Sequence, residues 1–231
     1  PIQVGSLTNW KQCFGGVASS YAVKTDGTLW AWGSNEYGQL GNGGTVYYSS
    51  PIQVGTSSWS QLSAGTNAAS AIRTDGLLFT WGFNQSGMLG DGTSVGGRSS
   101  PVQIGTSSWN YVNAGIASTA YAVRNDGRLF AWGDNTYGQL GDSKSSSYYS
   151  WSSISSGGNH TVGLRSDGTL FSWGSNQYGQ LGDYTLVSKS SPVQIGTSSW
   201  STVSAGQNHT LAIKSDGSLW SWGYNAYGQL G

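Results

Sequence analysis

A block that opens on a cation and closes on a glycine occurs five times in this chain of 231 residues. Its last copy reads Lys214-Ser215-Asp216-Gly217-Ser218-Leu219-Trp220-Ser221-Trp222-Gly223-Tyr224-Asn225-Ala226-Tyr227-Gly228-Gln229-Leu230-Gly231, and the earlier ones begin at Lys24, Arg73, Arg124 and Arg165. From the aspartate of each Asp-Gly pair (Asp26, Asp75, Asp126, Asp167, Asp216) to the closing glycine (Gly41, Gly90, Gly141, Gly182, Gly231) is always 15 positions. Tandem units of this size cannot each bury an apolar face alone. They fold by stacking on one another, so the repeat decides the architecture before any single residue does.

Each period has four parts. An extended run comes first: Pro1-Ile2-Gln3-Val4-Gly5, Pro51-Ile52-Gln53-Val54-Gly55, Pro101-Val102-Gln103-Ile104-Gly105 and Pro192-Val193-Gln194-Ile195-Gly196. Its alternation suits a half-buried strand, and its proline, lacking a ladder donor, suits an outer one. A second run opens at Trp10, Trp59, Trp109, Trp151 and Trp200. A third, such as Thr210-Leu211-Ala212-Ile213-Lys214, leads into Asp-Gly, and a fourth, such as Leu219-Trp220-Ser221-Trp222-Gly223, leaves it. Asp-Gly between strand-like runs signals a hairpin, here expected to be a type I′ turn. Four short strands with a period of about 50 residues and no helical pattern imply an all-β fold, a β-propeller with one four-stranded blade per repeat.

The expected organisation is a single domain, 1–231, with repeats over about 1–50, 51–100, 101–146, 147–191 and 192–231. The Asp-to-Asp spacings are 49, 51, 41 and 49, and the short one falls where the Pro-x-Gln-x-Gly run is missing between Gly141 and Trp151, so that blade is expected to have an irregular outer strand. An extra residue between Gly115 and Arg124 is expected to form a bulge. Pro1–Gly5 has no preceding unit and is expected to pair beside Leu219–Trp222, hiding two sheet edges.

Charge narrows the functional classes. Only 9% of residues are charged and the net charge is zero, with five of the ten cations spread one per repeat. No local positive field exists for nucleic acid or an anionic membrane, so neither nucleic-acid binding nor membrane insertion is expected. No apolar run is long enough for a spanning helix and no signal peptide is present. The chain begins at Pro1 without Met and reads as a processed or excerpted piece of something longer. The lone Cys13 stands where the other repeats carry Leu62, Val112, Ile154 and Val203, which implies apolar packing.

No constellation calls for catalysis, a cofactor or a metal. His160 and His209 occupy equivalent repeat positions with no Cys or acid cluster to complete a metal set, and read as structural. The five Asp of Asp-Gly are turn chemistry, and the cations two residues before them are expected to pair with them locally. The glycine-rich Gly38–Gly44 lacks the Gly-Lys-Ser/Thr of a phosphate loop. The Trp of Trp-Gly and the strand-opening Trp read as core. Binding is expected instead on the connectors between units, which vary most. The candidate partner or glycan contacts are Tyr47, Tyr48, Arg98, Tyr148, Tyr149 and Tyr184.

The succession of Lys/Arg-x-Asp-Gly, Trp/Phe-x-Trp-Gly and Asn-x-Tyr-Gly-Gln-Leu-Gly resembles the regulator of chromosome condensation repeat over the whole chain. Gly157-Gly158-Asn159-His160-Thr161 and Gly206-Gln207-Asn208-His209-Thr210 match that family's Gly-x-x-His-Thr element, while the first three units lack the His and the second has Ser86-Gly87-Met88 in place of Tyr-Gly-Gln. The resemblance implies a propeller with one blade per repeat, usually seven, against five here. It also implies a range of roles. The exchange factors of the family use a protruding wedge, and no unit here carries an insertion of that size. Its ultraviolet-B photoreceptor sets Trp directly before Arg-His-Thr, where this chain has Asn159 and Asn208 before the His. Its ubiquitin ligases need a further catalytic domain. The even repeats, low charge and Ser/Thr/Gly-rich make-up are most similar to the family's bacterial and phage or viral arrays. The expected function is a non-enzymatic structural or interaction propeller displayed on a virion or an extracellular cell-envelope surface, its partners proteins of that surface or a glycan. The alternative is a regulatory domain of the guanine-nucleotide-exchange type acting on a small GTPase.

Overall fold

The structure, a computed structural model, describes residues 1–115, 118–141 and 150–231. The chain divides into two compact units, Pro1–Ala114 and Gly115–Gly231. In the first, β1 (Trp10–Gly15), β2 (Ser19–Lys24), β3 (Thr28–Gly33), β4 (Tyr48–Ala64), β5 (Ala68–Arg73), β6 (Leu77–Phe83) and β7 (Gly97–Ala114) pair antiparallel in chain order. In the second, β8 (Thr119–Arg124) pairs with β9 (Leu129–Gly133). A four-stranded sheet follows, made of β10 (Trp151–Ser156), β11 (His160–Arg165), β12 (Leu170–Gly174) and β13 (Lys189–Gln194). A three-stranded sheet of β14 (Trp200–Ala205), β15 (His209–Lys214) and β16 (Leu219–Gly223) completes the unit. No α-helix occurs among the described residues; a single 3-10 turn covers Gln85–Gly87.

The four-part period is a four-stranded meander. Strands open at each tryptophan as the sequence indicates, and the Pro-x-Gln-x-Gly run is the outer strand. Gln53 lies opposite Trp30, Gln103 opposite Phe79, and Gln194 opposite Phe171. β4 and β7 are long because each runs from the outer strand of one repeat directly into the first strand of the next.

The hairpins differ from the expected type I′ turn. Of each Asp-Gly pair only the glycine is left-handed, with φ of 84° at Gly27, 88° at Gly76, 83° at Gly127, 82° at Gly168 and 87° at Gly217. The Gly27 amide donates to the Lys24 carbonyl, closing a turn centred on Thr25 and Asp26. The cause is the aspartate side chain. Asp26 Oδ1 accepts from the Thr28 amide (2.9 Å) and hydroxyl (2.7 Å), holding the aspartate as an ordinary turn residue and leaving the left-handed step to glycine.

Apolar side chains collect between successive repeats. In the first unit Leu29 and Val54 of one repeat share a core with Leu62, Ala71 and Trp81 of the next. In the second unit Leu170 and Ile195 do the same with Trp200 and Ala212.

Three further expectations meet the structure. Pro1–Gly5 forms no strand and Ile2 is 93% exposed, so the expected pairing of this run is not formed. The cysteine is a correction of a different kind. Cys13 has the backbone register of Leu62, opposite Ala22 as Leu62 is opposite Ala71, yet it is exposed. Leu62 is covered by the Leu29 and Val54 of the repeat before it, and the first unit has no repeat before β1 to cover Cys13. In dilute native protein Cys13 should therefore react with an aromatic disulfide reagent as fast as it does in denaturant; labelling that needs unfolding would contradict its exposure. The irregular outer strand of the third repeat and the bulge after Gly115 fall on residues 142–149 and 116–117, outside the described residues.

Candidate partner-binding connectors

The connectors leave each Trp-Gly strand, pass through Asn-x-Tyr-Gly-Gln-Leu-Gly and rejoin the outer strand. A main-chain carbonyl holds that motif in place. In the first unit the Gln39 carbonyl accepts from Tyr21 Oη (2.7 Å) and Trp81 Nε1 (2.8 Å). In the second, the Gln139 carbonyl accepts from Trp173 Nε1 (2.7 Å), Tyr121 Oη (2.6 Å) and Thr161 Oγ1 (3.0 Å), and the Gln180 carbonyl from Trp222 Nε1 (2.9 Å) and Thr210 Oγ1 (2.9 Å). The Trp of Trp-Gly in one repeat thus pins the Gln of the repeat before. Burial among these groups pushes the Tyr21 and Tyr121 phenols up to about 12.

The closing glycine follows from the same contact. A Cβ on Gly41, Gly141 or Gly182 would lie 2.7–2.8 Å from the indole nitrogen of Trp81, Trp173 or Trp222, and each of these glycines has φ between 64° and 75°.

An asparagine then fixes the connector itself. Asn35 Oδ1 accepts from the Leu40 amide (2.9 Å) while its Nδ2 donates to Asn42 Oδ1, the Gly44 carbonyl and the Val46 carbonyl, each at 3.0 Å. Asn84 and Asn176 repeat the arrangement on Leu89 and Leu181, with Asp91 and Asp183 as acceptors. All three asparagines are buried. Their role is not visible in the motif read as a string, because it depends on contacts seven to eleven residues downstream.

On this fixed backbone the connectors turn apolar and aromatic side chains to solvent. Tyr47 is 74% exposed, Tyr48 36%, Val95 77% and Leu186 67%. Tyr184 is fully exposed and adopts a left-handed φ of 60°, a conformation its aromatic side chain disfavours. The motif tyrosines Tyr37, Tyr137, Tyr178 and Tyr227 also reach solvent, although their place in the repeat gave them a structural reading.

The candidate residues separate into kinds. Tyr48, Arg98 and Lys189 hold one register position, opposite Gly33, Gly82 and Gly174. Arg98 and Lys189 are struts there: Arg98 Nη2 lies 2.6 Å from Asp91 Oδ2, and Lys189 Nζ 3.6 Å from Asp183 Oδ2. Burial raises the Asp183 pKa, but the Thr185 hydroxyl and amide, Asn176 and Lys189 outweigh it and hold the carboxyl below its usual range. Tyr47, Tyr48 and Tyr184 carry no such strut and stay free for contact. Tyr148 and Tyr149 lie outside the described residues.

The turn cations divide by their strand partner. Where the strand carries Phe, an Arg pairs with the turn aspartate, as in Arg73–Asp75 (2.6 Å), Arg165–Asp167 (2.9 Å) and Arg124–Asp126. The bond from Arg124 holds the Asp126 pKa down at about 2. Where the strand carries Trp, the cation is Lys, and Lys24 and Lys214 lie 3.8 Å from the ring centroids of Trp30 and Trp220. Among the described residues no group of three or more His, Cys, Asp and Glu could hold a metal ion. No helix is long and apolar enough to cross a membrane.

Comparison with known proteins agrees with this geometry. The regulator of chromosome condensation (RCC1) repeat matches residues 26–72, 75–120, 126–164 and 167–213, and a second form of the same repeat matches 111–139, 151–180 and 200–229. No curated protein sequence matches the chain. The crystal structure of human WBSCR16 is 25% identical over 96% of this chain and 63% of its own, with a TM-score of 0.82. That of Prp20p from Saccharomyces cerevisiae, described with its binding properties to Gsp1p and histones, is 24% identical over 96% of this chain and 59% of its own, with a TM-score of 0.81. The chain spans less than two thirds of either relative's length. With tandem matches over most of its residues and an all-β meander to go with them, the chain belongs to the regulator of chromosome condensation (RCC1) repeat family of β-propellers.

Proposed function

We propose that the chain is a non-enzymatic interaction module, displayed on a virion or cell-envelope surface, that grips a protein partner through its connectors. One observation carries the reading. The connector backbones are held by buried Asn35, Asn84 and Asn176, while the side chains they present, Tyr47, Val95 and Tyr184 among them, are exposed and apolar or aromatic. A rigid backbone presenting aromatic side chains loses little entropy on binding, which is the physics of a recognition surface. The protein partners named for the yeast relative favour a protein over a glycan. Near-zero charge suits display among neighbours without electrostatic steering.

Display and contact are tested separately. Antibody should label intact particles or cells of the native source; label seen only after they are opened removes the surface reading. Cross-linking on that intact source should join the chain to a neighbouring surface protein. The joint variant Tyr47→Ala, Tyr48→Ala, Tyr184→Ala should lose the cross-linked product with its unfolding midpoint unchanged. An undiminished product would take these tyrosines out of the contact.

A further inference from the structure

Three of the Trp/Phe-x-Trp-Gly strands, β3, β6 and β12, are covered on their far edge by a Pro-x-Gln-x-Gly strand. Under that cover Leu29, Leu78 and Leu170 are each 0% exposed. Their counterpart in β16, Leu219, is 68% exposed, and Trp220 beside it 48%. Among the described residues nothing pairs with the far edge of β16.

Next to this edge lies a cavity of about 600 Å³ whose walls include Gly179, Leu186, Ile195, Trp200, Trp220 and Trp222. The same ground is filled in earlier repeats. A Cβ on Gly38 would lie 2.6 Å from Ser99 Cα, and one on Gly138 2.6 Å from Ser190 Cα, each serine standing two residues before the proline of an outer strand. At Gly179 the nearest atom is Leu186 Cδ2, at 3.8 Å. The cavity is thus the place of an outer strand.

A strand of the right sequence stands free at the other end of the chain. Pro1-Ile2-Gln3-Val4-Gly5 is identical to Pro51-Ile52-Gln53-Val54-Gly55, whose Val54 is 1% exposed, yet Ile2 is 93% and Val4 44% exposed. Gly5 already has the left-handed φ of 64° that Gly55, Gly105 and Gly196 adopt at 59–61°. We propose that β16 takes Pro1–Gly5 of a second copy of this chain as its outer strand. By the register of the internal repeats, Ile2 of one copy faces Ser221 of the other, Gln3 faces Trp220, and the Val4 amide donates to the Leu219 carbonyl as Ile195 donates to Leu170 at 2.8 Å. Zero net charge sets up no repulsion between copies. In β4 the outer strand runs on into the first strand of the next repeat, so seating Pro1–Gly5 brings β1 of the second copy onto the same edge and lays Cys13 near Leu219, as Leu62 lies with Leu29. The two copies use different surfaces, so the contact propagates head to tail into a closed ring or a filament.

Sedimentation velocity over rising concentration tests this. The mass should grow with concentration, and labelling of Cys13 should slow in step. Val4→Pro removes one ladder donor and should weaken association about tenfold or more. Deleting residues 1–5 should abolish it while leaving the unfolding midpoint of the monomer unchanged. In a Cys13→Ser background, the pair Ile2→Cys, Ser221→Cys should oxidise to a ladder of linked chains. The proposal is overturned by a monomer at every concentration, by association that survives the deletion, or by a cysteine pair that closes only within one chain.

Discussion

Replacing Trp173 by Ala should lower the stability of the second unit by about 3–5 kcal/mol, a large part of the roughly 5–15 kcal/mol that holds a domain folded. Trp173 is 0% exposed, packs against Trp151 with ring centroids 5.8 Å apart, and donates its indole N–H to the Gln139 carbonyl. Truncation leaves a large cavity between two repeats. Trp173→Phe should be milder, because the Gln139 carbonyl still accepts from Tyr121 and Thr161 and is not left without a donor. The glycine facing the indole supplies a sharper check. Gly141→Ala should be strongly destabilising in the native background, where its Cβ would lie 2.7 Å from Trp173 Nε1 at a φ of 64°. In the Trp173→Ala background the clash is gone and only the backbone strain remains, so the second substitution should cost less. Urea unfolding of the four proteins measures the coupling. Equal effects of Gly141→Ala in both backgrounds would show that the indole does not explain the glycine.

That pair also marks what could be read from the sequence. The period, the strand order within it and the outer place of Pro-x-Gln-x-Gly follow from local alternation, turn residues and the missing donor of proline, and each has its strand in β1 to β16. What could not be read needs contacts at a distance. Gly141 and Trp173 are 32 positions apart, and their dependence lies in the packing of one repeat on the next. The exposure of Cys13 and Leu219 is invisible for the same reason. Both occupy apolar repeat positions, and whether such a position is buried depends on whether a neighbouring repeat covers it. For the candidate site, the connectors were legible as the variable segments. Arg98 was not separable from the tyrosines, because its role rests on Asp91, which is held in turn by Asn84.

Acidification should weaken the second unit well before its carboxylates titrate, and His160 is the reason. Its side chain is buried, and burial together with the nearby His209 lowers its pKa from 6.5 to about 4. The hydrogen bonds indicate the tautomer. Thr210 Oγ1 gives its proton to the Gln180 carbonyl at 2.9 Å, so in its 3.0 Å contact with His160 Nε2 it accepts, and the imidazole carries its proton on Nε2. Nδ1 is then a bare acceptor, buried and without a hydrogen-bond partner. Charging the ring would place a second N–H there with nothing to receive it. Because the folded pKa lies below the unfolded one, the unfolded chain takes up the proton first. Stability should therefore be full above pH about 6.5 and fall as the pH drops toward about 4, by about 3 kcal/mol in all. The turn aspartates, whose folded pKa values are lowered from 3.8, lose their contribution only in more acid solution, so the two effects separate on the pH axis. His160→Gln keeps a side-chain donor for Thr210 and removes the titration. Its stability, measured by urea unfolding through the same range, should be lower at neutral pH and nearly flat toward pH about 4. A slope equal to that of the native chain would assign the acid sensitivity to some other group.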